Sequence, residues 1–250
     1  FTSLPAFVGV IGFVCLVGIW ELAGAFARMG ITLTVTPLYV GAIGMITCAW
    51  WLGSEGTLFA LYITVFVCAA WRLLDRRQES RMSDVVSSTF TAVYVPFLAS
   101  FVVLMLAAWR DPWVFVVFEL MVIANDTGGW AAGVLFGKHP MAPALSPKKS
   151  WEGFAGSAAT AVGVGCVGLW LLGAAWWWGI VAGVSIAFVG TMGDLTESLI
   201  KRESGLKDMS HILPGHGGVL DRVDALLMSA PVAYFIFAWA LPGISWESSH

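Results

Sequence analysis

Apolar runs alternate along the chain with polar breaks, and each run approaches the roughly 20 residues that carry a helix across a bilayer core. Eight such runs stand out, at roughly 5–27, 33–53, 57–74, 85–108, 112–136, 152–173, 175–199 and 219–241. The breaks are short except at 75–84, 137–151 and 200–218, which are polar and carry most of the charge. The pattern predicts an all-α, polytopic integral membrane protein of about eight transmembrane helices. Residues 1–110 read as N-terminal transmembrane helices. Residues 111–250 read as a C-terminal transmembrane region that carries the loops 137–151 and 200–218. No internal repeat or low-complexity tract interrupts this reading.

Composition agrees. Of 250 residues, 58% are hydrophobic and 12% charged, against about 25% charged in soluble domains. The formal charge of −3 is too small to point to a partner, and no nucleic acid is expected. Cys15, Cys48, Cys68 and Cys166 lie in apolar stretches without a C-x-x-C pair, and the histidines are too dispersed for a metal cluster. No secretory signal peptide with a cleavage site stands out. The chain starts at Phe1 without methionine, close to an apolar run, so a removed front segment is expected.

The position of the charges adds an orientation. With eight alternating spans, twelve of the thirteen basic residues fall on one side and only Arg110 on the other. The positive-inside rule assigns that side to the cytoplasm. Trp50, Trp51, Trp176, Trp177, Trp178 and Trp246 then lie near outer span ends, as an interfacial belt requires. The mixed-charge loop from Asp75 to Arg81 reads as a solvated orientation signal, with anionic headgroup binding as the alternative.

Acids inside apolar spans carry the chemical information, because an ionised group at the bilayer centre costs about 2.5–3.5 kcal/mol on insertion scales. Asp126 sits late in the fifth run, Asp194 and Glu197 late in the seventh, and Asp221 and Asp224 open the eighth. Asp194, Glu197, Ser198 and Lys201 share one helix face, and Asp221 and Asp224 another. Ion pairing for structure alone is one reading. A divalent cation with phosphate is the better one, because Mg²⁺ takes one or two carboxylates plus water and substrate phosphates. Lys148 and Lys149 precede a helix expected to open near Ser150 to Glu152, where backbone N–H groups attract anions. The 200–218 loop ends in a glycine run, Gly215 to Gly218, that frees backbone to approach a phosphate.

The stretch from Ser198, Lys201 and Arg202 through Lys207 and Asp208 to Pro214, Gly215, His216, Gly217, Gly218, Asp221, Arg222 and Asp224 resembles the diagnostic motif of phosphatidate cytidylyltransferases (CDP-diacylglycerol synthases). Asn125, Asp126, Thr127 and Gly128, and Ser146 through Gly153, look like further hallmarks of that family. The resemblance runs from about residue 120 to 230. The family commonly has threonine where Ser150 stands and often an additional N-terminal span.

The resemblance implies transfer of a cytidylyl group from CTP to phosphatidate, giving CDP-diacylglycerol and pyrophosphate. It further implies Mg²⁺, alone or with a second cation, a homodimer, and a site facing the cytoplasm. On this reading Asp194 and Asp221 are the metal ligands, and Asp126, Lys201 and Asp224 are catalytic. Asn125, Ser146, Lys148, Lys149, Ser198, Arg202, Lys207, Asp208, His216, Gly217, Gly218 and Arg222 meet the substrates. Two alternatives stay open: a CTP-dependent membrane lipid kinase of the polyprenol type, with Asp126 or Glu197 as base, and a cation-coupled transporter.

Overall fold

The computed structural model describes residues 4–75, 81–143, 145–212 and 217–241. The eight expected spans are helices. They are α1 (Leu4–Arg28), α2 (Val35–Trp51), α3 (Gly53–Leu74), a fourth span in three parts, α6 (Pro112–Phe136), α7 (Trp151–Leu171), α8 (Trp178–Glu203) and α9 (Leu220–Ala240). The fourth consists of α4 (Met82–Ala92), a π-helical turn at Val93–Phe97, and α5 (Leu98–Trp109). Seven spans are long and apolar enough to cross a membrane, and α2, with 17 residues, is shorter.

Local chemistry explains the boundaries. Pro96 has no N–H to give, and the Leu98 N–H reaches back to the Val93 carbonyl, which inserts the π turn. Asp111 caps α6 by accepting from the Trp113 N–H at 2.9 Å, with Pro112 at the first helical position. Helix α8 runs past its expected end at 199 to Glu203. Its apolar run stops there, but Lys201 and Arg202 suit the negative end of the helix dipole, so the helix continues.

The chain forms two compact units, Phe1–Ala107 with Ile200–Val223, and Ala108–Leu199 with Asp224–His250. In the first, α1 buries Cys15, Gly18, Ile19, Leu22, Ala25 and Phe26 along one stripe. Helix α3 is inverted relative to a soluble helix. It buries Thr57, Thr64, Cys68 and Arg72 and exposes Phe59, Tyr62, Phe66 and Trp71. Small and polar groups inside with large apolar groups outside is the arrangement that lipid favours. The Arg72 guanidinium is buried against Asp84, with Nε to Oδ2 at 2.8 Å. The other Asp84 oxygen accepts from the Thr32 N–H at 2.9 Å, which ties the α1–α2 connection to α4.

In the second unit, α6 and α7 pack backbone to backbone. A methyl group at Gly128 would collide with the Thr160 side chain, and one at Gly156 with Ala132. Small residues permit this approach, and hydroxyls then cross it: Ser157 donates to the Asn125 carbonyl and Thr160 to the Ala124 carbonyl, both at 2.7 Å. The 137–151 segment holds a two-stranded antiparallel hairpin, β1 (Pro140–Ala142) and β2 (Ser146–Ser150). Glu152 clamps its base by accepting from the N–H groups of Lys138 and His139 at 3.1 and 3.2 Å.

The Arg72–Asp84 pair yields a stability prediction. Breaking a buried ion pair by removing one partner costs about 3–5 kcal/mol, whereas replacing both with apolar groups is close to neutral. Asp84→Leu alone should therefore lower the thermal unfolding midpoint of the purified protein markedly. Arg72→Met with Asp84→Leu should recover most of it. Equal midpoints for the single and double variants would show that the pair carries no such penalty.

Candidate active site

The expected site residues fall into two clusters, one in each unit. In the second unit, α6 supplies Asn125 and Asp126. Asn125 is buried, and its amide nitrogen donates to Asp126 Oδ1 at 3.0 Å. Gly190 of α8 leaves room for that amide. Asn125 Oδ1 is buried without a hydrogen-bond partner among the described residues. Strand β2 supplies Ser146, Lys148 and Lys149. Lys148 is exposed, whereas Lys149 is half-buried and its ammonium forms an ion pair with Asp194 of α8. Asp126 lies within the electrostatic reach of both Asp194 and Lys149.

Ser150 opens α7 as expected, its hydroxyl accepting from the Gly153 N–H at 3.1 Å. The cap and the Glu152 clamp together fix the strand that aims Lys149. Deeper in α8, Glu197 is buried and lies within the electrostatic reach of the buried Asp224 of α9. Ser198 follows Glu197 and is half-buried.

In the first unit, Asp221 is the hub. Its Oδ1 accepts from the Lys201 ammonium at 2.8 Å. Its Oδ2 accepts from the Gly218 N–H at 2.7 Å and the Met209 N–H at 2.9 Å. Gly217, at φ +81°, takes the left-handed conformation that lets the turn close over this carboxylate. Asp208 lies beside it, half-buried, and Arg202, Lys207 and Arg222 are exposed. His216 lies outside the described residues.

Asp194 and Asp221 thus belong to different units, each paired with a lysine of its own unit. No group of three or more His, Cys, Asp or Glu forms a metal cage among the described residues. A magnesium ion does not need one, since one or two carboxylates with water and phosphates suffice. The second-unit donors, Asp126, Asp194 and the unsatisfied Asn125 oxygen, are the hard oxygens this ion takes.

The family described as "Cytidylyltransferase family" matches residues 1–240. The chain belongs to that family. Among curated relatives, a "Phosphatidate cytidylyltransferase" of Mycobacterium bovis is 38% identical over 92% of this chain and 79% of the relative. One of Mycobacterium leprae is 36% identical over 86% and 74%. A chloroplastic "Phosphatidate cytidylyltransferase 4" of Arabidopsis thaliana is 33% identical over 81% and 59%. The match of this cytidylyltransferase-family chain reaches well before residue 120, so the N-terminal helices belong to the family as well. The kinase and transporter alternatives are not favoured by relatives of this name.

Sequence reasoning placed Glu152 only at a helix opening and passed over Glu21. Glu152 clamps the lysine hairpin through backbone bonds that no spacing announces. Glu21 of α1 reaches the turn that precedes α9. Its position inside an apolar run was the available signal.

The two lysines of β2 should differ in effect. Lys149→Gln leaves Asp194 without its cation, and Lys148→Gln removes an exposed point charge. With a charge-assisted bond worth about 1.5–3 kcal/mol, Lys149→Gln should slow turnover by roughly tenfold to a hundredfold. Lys148→Gln should cost only a few-fold. Steady-state kinetics of the two single variants decide this, and equal losses would show that the Asp194 pair is not what matters.

Proposed function

We propose that this protein transfers the cytidylyl group of CTP to phosphatidate, forming CDP-diacylglycerol and releasing pyrophosphate. The observation that carries the proposal is the relatedness, 38% identity over 92% of the chain, to proteins named phosphatidate cytidylyltransferase. The Lys201–Asp221 pair within the resembling motif, and the pairing of Lys149 of another resembling segment with Asp194, support it.

A phosphate oxygen of phosphatidate attacks the α-phosphorus of CTP, a new P–O–P bond forms, and the bond to the β-phosphate breaks. A phosphate monoester is largely ionised near neutral pH, with a second pKa of about 6, so no strong general base is required. The protein's work is positioning and charge neutralisation. Lys149, Lys148, Lys201, Arg202, Lys207 and Arg222 are assigned to the anionic substrates. Asn125, Ser146, Ser198, Asp208 and His216 are assigned to contacts around them. Asp126 and Asp224 orient the reacting groups. Asp194 is assigned to Mg²⁺ within the second unit and Asp221 to a cation within the first, and a bound Mg²⁺ would supply positive charge for the triphosphate. The loops face the cytoplasm, supported by the basic bias, and the resemblance supports a homodimer.

Purified protein given CTP, phosphatidate and Mg²⁺ should form CDP-diacylglycerol and pyrophosphate. Asp194→Asn and Asp221→Asn should each lower turnover by orders of magnitude. A phosphorylated lipid alcohol with CDP as the by-product would instead identify a kinase. For orientation, a cysteine placed at position 79 should label from the cytoplasm and one at position 55 from outside, and the reverse would overturn the topology.

A further inference from the structure

Helix α1 is apolar except for Glu21 and the terminal Arg28. Glu21 is 1% exposed. Such a carboxylate is retained only where the protein supplies partners, because lipid offers none. The partners come from a segment almost two hundred residues away. Glu21 Oε2 accepts from the Leu220 N–H at 2.7 Å. Oε1 accepts from the Val219 N–H at 2.8 Å and from the Ser210 hydroxyl at 2.6 Å. Ser210 Oγ in turn accepts from the Ile212 N–H at 3.3 Å.

These bonds sit at the start of α9, where the first N–H groups have no partner within the helix and the dipole is positive. Helices usually solve this with a neighbouring Ser, Thr, Asp or Asn. Here the cap is delivered by another span. Two carboxylates then grip one turn: Glu21 takes the N–H groups of Val219 and Leu220, and Asp221 takes that of Gly218. Gly218 is fitted to this grip, since a Cβ there would stand 2.5 Å from Glu21 Oε1 and 3.0 Å from the Ser210 nitrogen.

We infer that Glu21 is a positioning residue for the reaction: by capping α9 from α1 it sets the turn that presents Asp221 and Arg222. It touches no reacting group and acts through Ser210 and the backbone of Val219 and Leu220. The inference rests on the proposed reaction for its kinetic consequence, and on the hydrogen bonds alone for its structural one.

The test compares the full-length protein with Glu21→Gln, Glu21→Ala, Gly218→Ala and the double variant Glu21→Ala with Gly218→Ala. Glu21→Gln keeps the shape but loses the charge and one acceptor. Hydrogen exchange of peptides covering 209–222 should quicken about tenfold, the scale of a lost cap, while exchange in α2 and α3 stays unchanged. Turnover of CTP and phosphatidate should fall about tenfold, in kcat more than in KM. Gly218→Ala should impose a similar loss in the presence of Glu21 and a clearly smaller further loss in the Glu21→Ala background, because the contact with Glu21 has gone and only the 3.0 Å approach to the Ser210 nitrogen remains.

Several results would overturn the inference. They are unchanged exchange at 209–222 in Glu21→Gln, faster exchange throughout α2 and α3 as well, wild-type kinetics in that variant, or additive penalties in the double variant. If the wild-type protein forms no CDP-diacylglycerol, the proposed reaction fails while exchange at 209–222 still decides the role of Glu21.

Discussion

A carboxylate inside an apolar span must find its partners within the protein, and the joints of this structure follow from that requirement. Asp84 takes Arg72 and a backbone N–H, and in doing so fixes a connection between helices. Asp194 takes Lys149 and anchors the hairpin strand to α8. Asp221 takes Lys201 and two N–H groups and closes the motif loop. Glu197 and Asp224 lie buried within electrostatic reach of each other. Hydrophobic burial cannot discriminate among positions on these helices, because their outward faces are as apolar as their inward ones. Polar pairing and close backbone packing supply the discrimination. The residues that give the fold its joints are therefore the same kinds of residue that chemistry on phosphates needs.

Much of this was legible in the sequence for a simple reason. Spans are read from hydropathy, a local property, and the eight runs became the eight spans. The Ser150 cap is likewise local and was readable. Acids in apolar runs were conspicuous, but their partners were not. Asp194 and Lys201 share one face of α8 by spacing, yet they engage Lys149 and Asp221, which lie in separate segments. Pairing of this kind depends on tertiary neighbours, which periodicity does not contain. The lysine hairpin escaped for a related reason. Residues 140–150 show no alternating pattern, and the strands depend on the Glu152 clamp and on the bond from the Trp151 N–H to the His139 carbonyl. Glu21 was the hardest case, a single acid whose meaning lies in bonds spanning 198 and 199 residues.

The glycine run before α9 shows how a correct motif can carry a misleading physical explanation. Gly217 and Gly218, beside basic residues and a helix start, suggest backbone N–H groups aimed at a phosphate. In the structure the N–H groups of Gly218, Val219 and Leu220 are committed. The Gly218 N–H goes to Asp221, and the Val219 and Leu220 N–H groups go to Glu21. A helix end already capped by a buried carboxylate repels a second anion rather than inviting one. Gly217 serves a left-handed turn, and Gly218 serves the approach of Glu21. The anion contacts proposed for this unit are those of side chains, and Arg202, Lys207 and Arg222 are exposed there. Cationic side chains can move with a substrate, whereas a capped turn cannot, and it is the rigid turn that keeps Asp221 in place.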